Sequence, residues 1–299
     1  MGIIGTAIIW DSWSVHYPSA HPDSKGSANM WPKAPYQWVE DRTLYMSIPF
    51  TWNLPQVREH LKQRSFVWDT AVVGGPAVIL MPHYFSDMSW VQEWEHMDGV
   101  LQRVNPNATR TTLGCTNRCR FCAVPTIEGP FKELDEWPDN PILCDNNLLA
   151  ASEQHFDRVI DRLECHTGVD FNQGLDCRLL TRHHAERIGR IKAKVRLALD
   201  SKSVREPWEV SVSMLRETGT AKSMLSCYIL VGFTDTPEEA WEQCTFVEAH
   251  GVTPNPQWFH SLDCLKVNSV SDNQKRLGWT HEGRTHIMGH FYRRRGEPL

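Results

Sequence analysis

The side chains best placed to do chemistry stand between Thr111 and Gly129, in the stretch TTLGCTNRCRFCAVPTIEG. Cys115, Cys119 and Cys122 form a C-x3-C-x2-C array, with the aromatic Phe121 directly before the third cysteine. Three thiolates this close on one loop can hold three corners of an iron–sulfur cube. The fourth iron then has no protein ligand, and an open coordination position is what a catalytic metal site keeps and a structural one closes. The same residues admit plainer readings. A structural zinc ion wants a fourth ligand at finger-like spacing, and the nearest candidates, Cys144 and His155, fit no such pattern. A disulfide between two of the three is a further alternative, as is chance clustering among nine cysteines.

The elements that must hold this loop are legible as an alternation. Residues 109–113, 141–145, 169–172, 195–199, 225–231 and 257–260 are short apolar runs of strand length. Between them lie helices with clear starts: Ser152 and Thr181 as N-caps, and Thr236-Pro237-Glu238-Glu239 as a capping box with proline at the first helical position. Their inner stripes are Phe156, Val159, Ile160 and Leu163; Ala185, Ile188 and Ile191; Trp208, Val212 and Leu215; and Ala240, Cys244 and Val247. Gly219 and Gly251 suit helix ends. About six β/α steps over residues 108–263 predict a parallel sheet curled into an open, partial (β/α)6 barrel of TIM type. In such barrels the site lies at the C-terminal ends of the strands. Polar residues gather there: the cysteine loop, Asp145-Asn146-Asn147, Asn172-Gln173, Asp176, Arg178, Asp200, Gly232-Phe233 and residues 260–263.

Residues 1–107 read differently, with no cysteine and many tryptophans and prolines. Strands are expected at 3–10, 44–50 and 69–75, an extended loop at 13–35 and a short helix at 55–64, which together make a small α/β accessory domain. The aromatic excess is read as core. Met1-Gly2 with Thr6 fits a myristoylation pattern formally, but a buried first strand is the preferred reading of the apolar start. Residues 264–299 form a C-terminal extension.

With 41% hydrophobic and 22% charged residues the chain has an ordinary globular composition and can bury a sizeable core. Its net charge of −5 argues against a general polyanion binder, without excluding a local basic patch. Nine cysteines with no secretory signal, and no apolar run long enough to span a bilayer, lead to the expectation of a soluble, cytoplasmic enzyme with free thiols and no membrane partner.

On these residues the chain resembles the radical S-adenosylmethionine (radical SAM) superfamily. GCTNRCRFCAVPTIEG is similar to the cluster loop of its methylthiotransferase branch, and YILVGFTDTPEE to that branch's later strand and helix. ILCDNNLLA stands where such enzymes place residues near the SAM amino group and ribose. The resemblance covers residues 108–263. It implies that Cys115, Cys119 and Cys122 bind a four-iron, four-sulfur cluster whose open iron is chelated by SAM. An external electron donor drives reductive cleavage, and the resulting 5′-deoxyadenosyl radical abstracts hydrogen from a substrate. Phe121 would then pack near the adenine. Asp145, Asn146 and Asn147 would accept from the amino group or ribose hydroxyls, and Arg178 would pair with the SAM carboxylate. Gly232 would let backbone approach the adenine edge, and Gln173 and Asp200 would complete the cofactor site. The substrate expected by analogy is a nucleobase or nucleotide, within DNA or RNA or free.

Two departures set this chain apart. Residues 1–114 lack the second cluster's cysteines, so sulfur insertion is not expected, and the 36 residues after Asp263 are too few for an RNA-gripping barrel. The Val-Val-Gly-Gly-Pro ending of the 69–75 strand resembles cobalamin-binding domains that precede some radical SAM barrels, but no Asp-x-His-x-x-Gly motif accompanies it. A domain without cobalamin is expected. Cys144, Cys165, Cys177, Cys227, Cys244 and Cys264 are read as packing thiols, with an auxiliary cluster on Cys227, Cys244 and Cys264 as the lesser alternative. His286 and His290 have i, i+4 spacing but are read as a surface turn. The ending FYRRRGEPL is read as a solvated basic terminus; Phe291 and Tyr292 stacking a base beside Arg293–Arg295 is the alternative. Rival readings of the whole are a non-catalytic iron–sulfur carrier or sensor, a radical enzyme acting on a peptide or small metabolite, and a zinc-stabilised nucleic-acid module.

Overall fold

The structure, a computed structural model, describes residues 35–94 and 97–293. The strand expected at 3–10 and the loop at 13–35 lie outside them. The chain divides into two compact units. One takes residues up to Ala108 together with Cys122–Gly129 and Ser261–Val267. The other takes Thr109–Phe121, Pro130–His260 and the chain from Asn268.

The first unit is built on a four-stranded sheet, β1 (Tyr36–Glu40), β2 (Thr43–Ser47), β3 (Thr70–Gly74) and β4 (Val91–Glu93), in that order. β1 is antiparallel to β2, and β2, β3 and β4 run parallel. Helices α1 (Leu54–Gln63), α2 (Pro76–Leu80), α3 (Val100–Val104) and α4 (Val124–Ile127) complete it, with α2 packed on α4. Pro55 is tolerated in α1 because the first helical turn needs no donor there. The glycines ending β3 answer to packing. A Cβ on Gly74 would lie 2.2 Å from the Trp94 ring, and one on Gly75, at φ +89°, 2.8 Å from the Ile48 backbone. Trp38 is buried and stacks on Tyr45 at 5.0 Å, so part of the aromatic excess is core.

In the second unit β5 (Ala108–Thr109), β8 (Ile142–Leu143) and β9 (Asp170–Phe171) form one three-stranded sheet. A separate pair is made by β6 (Thr112–Leu113) and β7 (Lys132–Glu133), which are antiparallel. β10 (Val195–Ala198), β11 (Leu225–Val231) and β12 (Thr253–Trp258) form a parallel sheet. The helices alternate with these strands: α5 (Glu153–Leu163), α6 (Arg182–Ile191), α7 (Arg205–Glu217) and α8 (Pro237–Ala249), followed by α9 (Asp272–Arg276) and α10 (His281–Arg293). Ser152 caps α5, and Thr181 and Thr236 form capping boxes on α6 and α8. The expected stripes are buried in one core around Phe156, Trp208 and Ile229, each 0% exposed. Parallel bridges at Asp170–Lys194 and Leu175–Leu197 link β9 and its following loop to β10. The architecture is mixed α/β with several parallel sheets, and no closed barrel forms among the described residues.

Two departures from the expected strands have clear physical reasons. The run at 109–113 splits into β5 and β6, because the Thr111 and Thr112 amides donate to the Asp145 carboxylate. The last strand begins four residues early, at Thr253, despite Pro254 and Pro256. β12 is an edge strand. Phe259 N–H reaches the Val231 carbonyl, so by alternation the even-numbered prolines direct their missing donors outward, where a sheet tolerates them.

The C-terminal segment is helical where a turn was expected at His286 and His290. These rings lie against Trp241 of α8, at 5.4 and 4.6 Å between centroids. Phe291 is 2% exposed and the Tyr292 hydroxyl donates to the Pro256 carbonyl, so these two rings serve the core rather than a base. Among the described residues no helix is long and apolar enough to cross a membrane.

Candidate functional site

None of the nine cysteines is in a disulfide, and Cys115, Cys119 and Cys122 are each half-buried. Cys115 follows Gly114, whose φ of +69° turns the chain out of β6. Its sulfur has two N–H donors: the Asn117 backbone at 3.4 Å and Asn147 Nδ2 at 3.6 Å. Burial raises the Cys119 thiol above its ordinary range; Asp200, Cys115 and Asp176 act in the same direction and Arg178 against it. Cys119 thus shares its surroundings with residues from the ends of β9 and β10. Phe121 meets Phe233 edge-on at 5.6 Å, and Phe233 meets Phe259 at 4.8 Å. Cys122, one residue on, begins the segment that belongs to the first unit.

The loop is tied down from beneath. Asp145 accepts from both the amide and the hydroxyl of Thr111 and of Thr112, while burial pushes its carboxyl pKa upward. Both of its oxygens therefore hold the strand that feeds the cysteines. His155, which fits no zinc-ligand spacing, is buried with its ring at Thr111 Oγ1 and near Glu133. Asn117 Nδ2 donates to Asp176 Oδ2 at 2.7 Å. Arg178 donates Nε and Nη2 to the same carboxylate at 2.8 and 2.7 Å. Burial raises the Asp176 carboxyl, but the hydrogen bonds from Arg178 and Asn117 outweigh it and hold the pKa below the usual range. Asn117 was not singled out from the sequence; its place between two cysteines was the available signal.

The other expected residues fall as follows. Gln173 is buried beyond β9, and Asn146 is half-buried beside Asp145. Gly232 has φ +81°, and a Cβ there would lie 2.4 Å from the Trp258 ring, so tight packing alone requires glycine. Its amide donates to Asp235 at 2.9 Å. Asp200 follows β10 and lines a cavity of about 170 Å³ together with Phe233, Asp235 and Gln243. Burial pushes its pKa up to about 6, and its shielded Oδ1 has no hydrogen-bond partner among the described residues. Gln243 Nε2 in the same cavity is likewise buried and unpartnered. An acceptor and a donor left open in one cavity suit a polar guest. At the end of β12, His260 Nε2 accepts from the Asn268 amide at 2.9 Å, and burial, helped by Arg284, lowers its pKa to about 4.

Partly shielded thiols outside any disulfide, with two N–H donors at the Cys115 sulfur, are a donor set of the kind an iron–sulfur centre uses. Of the remaining cysteines, Cys227 and Cys244 are 0% exposed within the core, and burial pushes the Cys177 thiol up to about 12, which fits packing. Glu153, Asp157 and His183 bring ligand atoms within 4.8 Å of one another at the surface. His183 and Arg187 already bond the Asp157 carboxylate, so this is an ion-pair cluster.

No protein-family model matches the chain, and no curated protein matches it.

Proposed function

We propose that this chain is a radical SAM enzyme, with Cys115, Cys119 and Cys122 as ligands of a four-iron, four-sulfur cluster. The observation that carries the reading is the setting of Cys115. Within a C-x3-C-x2-C loop that forms no disulfide, this sulfur meets two N–H donors, and one of these, Asn147, comes from just beyond strand β8. The reading includes a partial (β/α)6 barrel, supported by the parallel bridges that join β9 and its following loop to β10. When bound, the cluster and SAM would supply a 5′-deoxyadenosyl radical able to abstract hydrogen from a substrate.

The protein's own residues orient and shield. Phe121 and Phe233 wall the loop with apolar rings. Asp200 and Gln243 offer a hydrogen-bond acceptor and donor inside the cavity beside Phe233, suited to hydroxyl and ring-nitrogen groups of a nucleoside. Arg178, held by Asp176, is oriented to meet a carboxylate. The substrate class in this reading is a nucleobase or nucleotide, on the likeness of the cysteine loop to the methylthiotransferase branch.

Anaerobic purification of the full chain should yield iron and sulfide in equal amounts. Reduction with SAM should then release 5′-deoxyadenosine, and Cys115→Ala, Cys119→Ala and Cys122→Ala should each abolish it. Zinc in place of iron, or a cluster that leaves SAM intact, would sink the assignment.

A further inference from the structure

Resting on the cluster reading above, we propose that Asn147 is a positioning residue that makes the cluster easier to reduce, by donating its side-chain N–H to the sulfur of Cys115. Asn147 is 0% exposed and lies two residues after the Asp145 that holds the cysteine strand. Its carbonyl accepts from the Ala150 amide at 3.1 Å, so its backbone is fixed by the turn that follows β8. The side chain points Nδ2 at Cys115 Sγ, 3.6 Å away. Its Oδ1 is buried with no hydrogen-bond partner among the described residues. A buried amide with one end unmatched is a poor choice for packing, where a leucine of similar volume would avoid the cost. What distinguishes the amide from an apolar side chain at this position is its donor to Cys115.

Hydrogen bonds to cluster sulfurs are among the levers that set the reduction potential. An N–H aimed at a ligating thiolate withdraws negative charge from the sulfur, which favours the state carrying the extra electron. The second donor to Cys115, the Asn117 amide, belongs to the backbone and persists whatever side chain stands at 117. Asn147 is thus the donor that sequence can change. Outer groups of this kind orient a ligand as well as tune it.

The test uses the full chain, anaerobically reconstituted with iron and sulfide, with Asn147→Leu and Asn147→Asp beside wild type. The first removes the donor, and the second keeps the shape while replacing the donor with an acceptor. Midpoint potentials are read by redox titration with electron paramagnetic resonance of the reduced cluster. The expected result is full iron content with a midpoint shifted negative in Asn147→Leu and further negative in Asn147→Asp. Equal midpoints in all three proteins at full iron content would overturn the proposal and leave the cluster reading standing. A wild-type protein that takes up no cluster would overturn both.

Discussion

Asn117 and Asp176 are joined by a 2.7 Å hydrogen bond that ties the middle of the cysteine loop to the segment after β9. The acceptor is a carboxylate already gripped by Arg178, so the bond is charge-assisted and its geometry is preset. Such a bond contributes roughly 1.5–3 kcal/mol, about tenfold or more in the equilibrium between a docked and a loose loop. If the loop holds the proposed cluster, Asn117→Ala should therefore lose iron to a chelator about ten times faster than wild type. Equal rates of iron release would show that the loop is held by other contacts.

Asp200 trades stability for a functional group. Its carboxyl pKa is raised by burial to about 6. A raised folded-state pKa contributes stability that is present below the unfolded value near 4 and lost as pH rises through about 6. At pH 7.5 the buried charge costs up to roughly 3 kcal/mol. Asp200→Asn should raise the melting temperature at pH 7.5, leave it nearly unchanged at pH 4 and, on the proposed function, weaken SAM binding. A variant no more stable than wild type at pH 7.5 would refute the account.

How much of this was legible in the sequence depended on how local the physics was. Helix α8 needed only Thr236, Pro237 and Glu239, three neighbours that satisfy each other, and its start is where the capping box put it. The strand at 225–231 was bounded correctly because its apolar run, interrupted only at Ser226, stops at Gly232. Long-range partners were not legible. The resemblance at ILCDNNLLA makes Asp145 a candidate for the cofactor site; that its oxygens also hold Thr111 and Thr112, more than thirty positions away, no spacing could reveal. Pro254 and Pro256 hid the start of β12, since only the sheet order shows that strand to be an edge.

His260 should make the fold acid-sensitive. Burial lowers its folded-state pKa to about 4, whereas in the unfolded chain it titrates near 6.5. Between these values the unfolded state binds the extra proton, so stability is full above pH 6.5 and falls as the pH drops toward 4, by up to roughly 3 kcal/mol. Other groups titrate in that window, so the informative quantity is a difference. Urea unfolding of wild type and His260→Gln should show a gap at pH 7 that shrinks or reverses at pH 4.5. A constant gap would mean that His260 does not titrate with folding.

The seam between β9 and β10 rests on few backbone contacts, and a buried ion pair reinforces it. Arg196 bonds the Asp170 carboxylate and also donates to the Phe171 carbonyl at 3.0 Å, with both side chains shielded from water. Removing one member strands the other's charge in the interior, which costs about 3–5 kcal/mol. Removing both leaves no unpaired member of this pair in the interior, and the Phe171 carbonyl is among the groups to resatisfy. Asp170→Ala should therefore lower the urea midpoint far more than the double variant Asp170→Leu/Arg196→Met. The amides of Phe171 and Leu175, which bond Lys194 and Arg196 carbonyls across the seam, should exchange faster in Asp170→Ala than amides within β11. If the two variants unfold at the same urea concentration, the pair holds the seam by shape alone and its charges are incidental.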